Sequence, residues 1–383
     1  MLRFLLIIPL FFIKISIIGQ PKIIIDPDSR QTGKLSLNDM VESIEYIPLE
    51  TTDDCLLRTV KSFILSDNYI LHDQGNKFFL FSRSGHFVAQ IGNRGGGPGE
   101  FYNARSMHID EKSKQVILYE SYRKQLLYYN FEGRFIKTVP YDEEIQFASI
   151  SNNYINDHFV IKSPNFGNTP YSYTILDRDF KIIQQQIQPM QFTMIQADLQ
   201  VGKGYPFCQY EYNNLMHIRE NMLNDTLYVI NKDFSFTPKY IINAGKYEFS
   251  VNIRSDADLF MREISNRIVV TYLFETKDYL LISYSLQKES YGYYNKSEKK
   301  ILHFSSSSGI PNDYDGGIDF WPQYQCNNQL VAFYDAYKIK EHKDKSNKQT
   351  PKGSAEAINR FEQMFQKLDS EDNPVMVIAK LKQ

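Results

Sequence analysis

The chain has 383 residues, 42% of them hydrophobic, and a mean hydropathy of -0.41, values that exclude a wholly disordered chain and a multi-span membrane protein. Its 43 basic and 45 acidic residues leave a formal charge of -2 with no concentrated basic run, so nothing recommends a nucleic-acid partner. The 27 tyrosines and 27 phenylalanines beside a single tryptophan favour sheet over helix.

The first nineteen residues carry Arg3, an apolar run at 4–13, Lys14, a second short run at 15–18, and then Gly19 and Gln20. Those zones predict an export signal cleaved near Gly19 or Gln20, with a retained anchor or a buried strand as the alternatives. Lys14 leaves neither apolar stretch long enough to cross a bilayer, so no stable transmembrane span is expected in the mature chain. No cysteine stands near the cleavage point to carry a lipid. Loss of Arg3 and Lys14 moves the formal charge from -2 to -4. Residues 20–383 are expected to form one domain.

From Val60 onward the apolar residues recur with period two in short bursts bounded by turn residues. "VKSFILSDNYILHDQGNKFFLFSRSGHFVAQIG" reads as four strands, and so does "ARSMHIDEKSKQVILYESYRKQLLYYNFEGRFIKTV". The last turn of each holds a glycine, Gly85 and Gly133, 48 residues apart. The same final hairpin recurs without glycine in "YSYTILDRDFKIIQQQI" and "DTLYVINKDFSFTPKYII", and more loosely in "YGYYNKSEKKILHF". A four-strand unit repeating at about 47 residues is the period of a β-propeller blade. The pattern therefore predicts an all-β, six-bladed β-propeller with units near 58–95, 101–142, 145–190, 205–246, 257–306 and 316–381.

The sixth unit supplies only three strands, "IDFWPQYQ", "QLVAFYDAYKI" and "NPVMVIAKLK". An N-terminal segment, "VESIEYIPLE" in preference to "PKIIID", is expected to complete it and close the ring without a free edge. Residues 354–369 break the strand pattern. Ala355, Ile358, Phe361, Met364 or Phe365, and Leu368 fall on one side at helical spacing behind Ser354 as N-cap, which predicts a helical insertion covering part of the last blade, with partner docking as the alternative.

"QIGNRGGGPGEF", Gln90 to Phe101, has the glycine density of a phosphate loop but no Gly-Lys-Ser/Thr end, no dinucleotide-fold spacing, and Pro98 where a donor would be needed. It reads as an inter-blade turn, from which Arg94 would reach a central funnel. "GNRGGGPGEF", together with "LFSRSGHFVAQI", "VESIEYIPLETT", "NDTLYVINKDFSFTPKYIINAGK" and "NPVMVIAKLK", resembles the secreted six-bladed, NHL-like propeller proteins of Bacteroidetes bacteria over nearly the whole mature chain. The resemblance implies a propeller in the periplasm or at the cell surface. It supplies no catalytic residues.

The seven histidines show no H-x-x-x-H spacing, and no Gly-x-Ser-x-Gly elbow is present. Cys55, Cys208 and Cys326 are far apart and odd in number, which suits small buried side chains rather than a disulfide framework. The most concentrated polar segment is "GIPNDYDGGIDFWPQYQ", where Asp313, Asp315 and Asp319 precede Trp321. It reads as a structural turn. Ligand recognition with Trp321 or Tyr314 stacking on a sugar, a calcium site, and a glycosidase carboxylate pair remain open beside that reading, and Trp321 equally suits a core position.

These observations favour a cell-envelope or secreted binding or scaffold module without a required cofactor. Its expected partner is an extracellular glycan, a peptide or an envelope protein. A glycan-active hydrolase or lyase is the alternative. The ligand-binding candidates are Arg94, Asp313, Tyr314, Asp315, Asp319 and Trp321.

Overall fold

A strand buried on both faces reads as an apolar run, whereas a half-exposed one alternates. In each repeat the middle strands are of the first kind, because every sheet is sandwiched between two neighbours: Phe78–Ser82, Gln115–Glu120 and Tyr171–Leu176 are almost continuously buried. The outermost strands Phe135–Pro140 and Ile182–Ile187 are largely exposed. The computed structural model describes residues 20–383 except 30, 58–61, 76, 121, 142–153, 156–157, 164, 166, 168–169, 189, 196–206, 221, 305–308 and 346–349.

Six antiparallel four-stranded meanders form the blades of a propeller. From the channel outward, the first blade is Ser62–Leu65, Tyr69–Asp73, Phe78–Ser82 and Phe87–Ile91, and the second is Ala104–Asp110, Gln115–Glu120, Gln125–Asn130 and Phe135–Pro140. The third is Tyr154–Ile155, His158–Lys162, Tyr171–Leu176 and Ile182–Ile187. The fourth is Cys208–Tyr212, Leu215–Arg219, Thr226–Ile230 and Phe236–Asn243, and the fifth is Val269–Glu275, Tyr279–Leu286, Lys288–Asn295 and Lys300–His303. In the sixth, Tyr324–Cys326, Gln329–Tyr334 and Val375–Leu381 are completed by Val41–Pro48. The termini thus share one blade, as the incomplete sixth unit predicts.

Both N-terminal segments are used, in different blades. Lys22–Ile24 adds a parallel fifth strand outside Phe236–Asn243, and Thr32 bridges His303 at the edge of the fifth blade. The strap then reaches the short helix Leu37–Met40 and the closing strand Val41–Pro48, which pairs antiparallel with Val375–Leu381. Asn373, 2% exposed, locks the closure: its side chain accepts from the Leu57 amide at 2.8 Å and donates to the Glu50 and Cys55 carbonyls at 2.6 and 2.7 Å.

The repeated hairpin turn has one backbone solution. Gly85, Gly133, Phe180 and Phe234 each donate their amide to the carbonyl three residues back, and all four have positive φ. Glycine occupies two of these positions for a steric reason beyond φ. A Cβ on Gly85 would lie 2.3 Å from the Pro48 carbonyl oxygen, and one on Gly133 would lie 2.2 Å from that of Gln90. The phenylalanines offset their left-handed backbone by ring contacts, Phe180 stacking on Phe159 at 4.7 Å and Phe234 meeting His158 at 4.5 Å.

Two boundaries differ from the sequence reading. The fifth blade does not start at 257: Val251–Ser255 and Ala257–Glu263 are helices, N-capped by Ser250 and Asp256, and the blade begins at Val269. "QLVAFYDAYKI" is not one strand, since Gln329–Tyr334 gives way to the helix Ala336–Lys345. The later helix Ala355–Lys367 is capped by Ser354 and buries Ala357 and Phe361, with Phe361 5.1 Å from Tyr46 of the last blade. Its apolar face covers that blade.

Candidate functional site in the central channel

Antiparallel meanders give the channel two chemically distinct ends. One carries the turn after each innermost strand; the other carries the connections between blades. At the turn end, innermost strands of four blades enclose a cavity of about 190 Å³, lined by Ile64 and Leu65 of the first blade, His108 of the second, Gln209 to Glu211 of the fourth, and Tyr324 and Cys326 of the sixth. A wider recess of about 470 Å³ shares Ser66, His108 and Ile109 with it and adds Asp67, Asp110, Glu111, Lys112 and Arg178.

The ring is drawn together between the fourth, fifth and sixth blades. The Asn214 amide donates to Asn327 Oδ1 at 2.7 Å, and the Gln325 amide group brackets Glu275, accepting from its N–H at 2.7 Å and donating to its carbonyl at 2.6 Å. Glu275, 1% exposed, is the hub of this sector. It receives Lys239 at 2.6 Å, Lys296 at 2.7 Å and the Tyr210 hydroxyl at 3.0 Å. Burial pushes its carboxyl up, but the two lysines outweigh burial and hold it below its ordinary value. His217 stacks on the Tyr210 ring at 4.6 Å, and burial, aided by Lys239, pushes its imidazole down to about 4. These contacts fix Tyr210, which is one of the residues lining the cavity.

Three titratable groups of the cavity wall, His108, Cys326 and Tyr324, are held away from the protonation states that acid–base or nucleophilic chemistry needs. Burial lowers His108 to about 4, leaving a neutral, weakly basic ring. The Cys326 thiol donates to Glu211 Oε2 at 3.4 Å, and burial followed by the Glu211 charge pushes it up to about 12, far from a thiolate. The Tyr324 phenol is raised well above its usual range by burial.

The candidates from the sequence lie in two links between blades, and none of them lines the channel cavity. Arg94 is exposed in the link between the first and second blades, where Asn93–Arg94 pairs with Glu100–Phe101. The glycine loop there is closed on itself: Gly97 donates to Glu100 Oε2 at 2.7 Å and Gly95 to the Phe101 carbonyl at 3.0 Å, so these amides already have partners. Asp313, Tyr314, Asp315, Asp319 and Trp321 lie together in the link between the fifth and sixth blades, away from Arg94.

Asp313 anchors the strap, accepting from Ser36 Oγ at 2.7 Å, the Asn38 amide at 3.0 Å and Lys352 at 2.9 Å. Burial raises its carboxyl, and those donors more than compensate, leaving it below its ordinary value. It also borders a cavity of about 270 Å³ with Lys34, Asp39 and Tyr279. Asp315 accepts from Tyr46 at 2.9 Å, Asn312 at 2.9 Å and the Gly317 amide at 3.0 Å, yet burial keeps its carboxyl above the usual value. Tyr314 donates to the Glu42 carbonyl at 2.9 Å, and Asp319 is half-buried. Trp321, 9% exposed, packs on Tyr291 at 4.5 Å and Phe304 at 5.8 Å within the largest core cluster. Among the described residues no three His, Cys, Asp or Glu side chains are grouped to hold a metal ion. No described helix is long and apolar enough to cross a membrane.

The sequence reading missed the channel residues. His108, Glu211 and Cys326 stand roughly a hundred residues apart on short inner strands, with no local motif to mark them. The one available signal was their shared position, at the end of the first strand of a repeat.

Fold and channel together define a six-bladed β-propeller with a turn-end cavity lined from four blades. The chain belongs to the family described as domain of unknown function DUF4934, whose profile spans residues 22–380. It is similar in structure to a Bacteroides fragilis protein described as a candidate exported protein, with a TM-score of 0.64 at 16% identity over 95% of this chain and 99% of that one. A member of the DUF4221 family from Bacteroides vulgatus aligns with a TM-score of 0.49 at 12% identity over 89% of this chain and 97% of that one. No curated protein matches the chain.

Proposed function

We propose that the protein is an exported binding propeller of the cell envelope that takes part of an extracellular glycan or peptide into the turn-end cavity of its central channel. The observation carrying this reading is the convergence of hydrogen-bonding groups from four blades on one cavity whose His108 and Cys326 are held at about 4 and about 12. Such groups recognise a ligand without being poised to transform it, which favours binding over the hydrolase or lyase alternative. Export is supported by the apolar run and cations of residues 1–19 and by the description of the Bacteroides fragilis relative. The test is calorimetric titration against glycan and peptide libraries with the wild type and Leu65→Trp, which fills the cavity from an apolar wall position. A ligand lost in a folded Leu65→Trp protein supports the reading. Undiminished binding in that variant overturns it.

A further inference from the structure

The geometry points to a primary ammonium group as the part of the ligand that the cavity receives, with Glu211 as its counter-ion. This inference rests on the channel reading above and names the chemistry of that site.

Glu211 is a half-buried carboxylate on the cavity wall, and among the described residues its one hydrogen-bond partner is the Cys326 thiol at 3.4 Å. No described Lys or Arg pairs with it. Three other carboxylates near the channel are already engaged. Glu275 holds two lysines, Glu111 accepts from the Asn68 amide at 2.9 Å and from its side chain at 2.7 Å, and Asp110 accepts from the Ser113 amide at 3.1 Å and feels Arg178. Among the described residues Glu211 is the one carboxylate lining the inner cavity, with no paired cation there, and its field contributes to raising the Cys326 thiol.

A ligand that covers this carboxylate strips its remaining water, a cost that a neutral hydroxyl offsets less well than a cation does. The surroundings favour the cation as well. Four carboxylates, Asp67, Asp110, Glu111 and Glu211, face two cations, Lys112 and Arg178, across the cavity and its mouth, and a recess lined with excess negative charge concentrates positive ligands. Tyr210 and Tyr324 belong to the lining of the same cavity, and aromatic residues suit an ammonium.

Size sets the rest. About 190 Å³ falls below the roughly 300–1,000 Å³ of pockets that take a whole drug-sized ligand, so the cavity accepts an amine-bearing end while the mouth takes the remainder. An amino sugar and a lysine side chain both carry such an end.

Two matched pairs separate charge from shape and one source from the other: glucosamine with N-acetylglucosamine, and lysine amide with its Nε-acetyl form. Titration of the purified protein at low salt is expected to show one amine binding at least tenfold more tightly than its acetylated twin. Glu211→Gln keeps an acceptor for the Cys326 thiol and is expected to abolish that preference at an unchanged melting temperature, whereas Glu211→Asp retains part of it. Equal binding of both members of each pair, a preference that survives Glu211→Gln, or no binding of either amine overturns the inference. Leu65→Trp distinguishes the two levels. Charge-blind binding that is lost in Leu65→Trp removes the ammonium assignment and leaves the channel reading standing, while binding that survives Leu65→Trp removes both.

Discussion

His72 provides a quantitative test of the packing between the first and last blades. It lies in the second strand of the first blade, 0% exposed, with Phe333 of the sixth blade at 6.4 Å, and neither ring nitrogen has a hydrogen-bond partner among the described residues. Burial alone lowers its pKa from 6.5 to about 4. A depressed pKa means that the unfolded chain binds the proton more readily, so stability is lost as the pH falls below 6.5 and the loss grows until about 4. One pKa unit corresponds to about 1.36 kcal/mol. Integrated from pH 7 to pH 5, this single imidazole costs the fold about 2 kcal/mol.

Carboxylates and the other buried histidines titrate in the same interval, and Glu220, raised by burial to about 7, opposes them. A double difference removes these shared contributions. His72→Leu replaces an unpartnered buried polar ring by an apolar side chain of similar size, which leaves stability at pH 7 equal or improved. Chemical denaturation of both proteins at pH 7 and pH 5 is expected to show the variant losing about 2 kcal/mol less than the wild type. An identical loss in the two proteins would refute the assignment of a neutral, desolvated imidazole.

Gly133→Ala places a Cβ 2.2 Å from the Gln90 carbonyl at a φ of +77°, so a loss above about 2 kcal/mol is expected from melting curves, and an unchanged melting temperature would contradict the turn geometry. Trp321→Ala opens a core cavity and is expected to cost about 3–5 kcal/mol, whereas Arg94→Ala, on an exposed link, should stay within about 0.5 kcal/mol; a freely folded Trp321→Ala protein that loses only ligand affinity would restore Trp321 as a recognition residue. Glu275→Gln leaves Lys239 and Lys296 without their counter-charge, and a loss of about 3 kcal/mol in denaturant midpoint analysis is expected, with no change counting against the hub. Mass spectrometry of the protein from its native cells should find a mature N-terminus near Gln20, and an intact Met1 to Gly19 segment would contradict export with cleavage.

Strand period, turn chemistry and closure are local or count-based properties, and the amino-acid order determined them. "FFLF" between two turns reads as a buried strand, Gly85 and Gly133 mark the hairpin turns that end the first two units, and a sixth unit short of one strand calls for the N-terminus. The helix starts at Ser250 and Asp256 are equally local signals, in a stretch where the strand repeat gives no sign of them. The channel was decided at another level. Glu211, Tyr324 and His108 come from three different blades, and each looks in sequence like an ordinary polar or aromatic residue at a strand end. Only ring closure determines which strand ends face one another. It places Glu211 beside Cys326 rather than beside a lysine, and gives Glu275 the two lysines that Glu211 lacks. Charge compensation is a pairwise property of the folded ring, so the residue types alone could not say which of these carboxylates would be left with a charge to share.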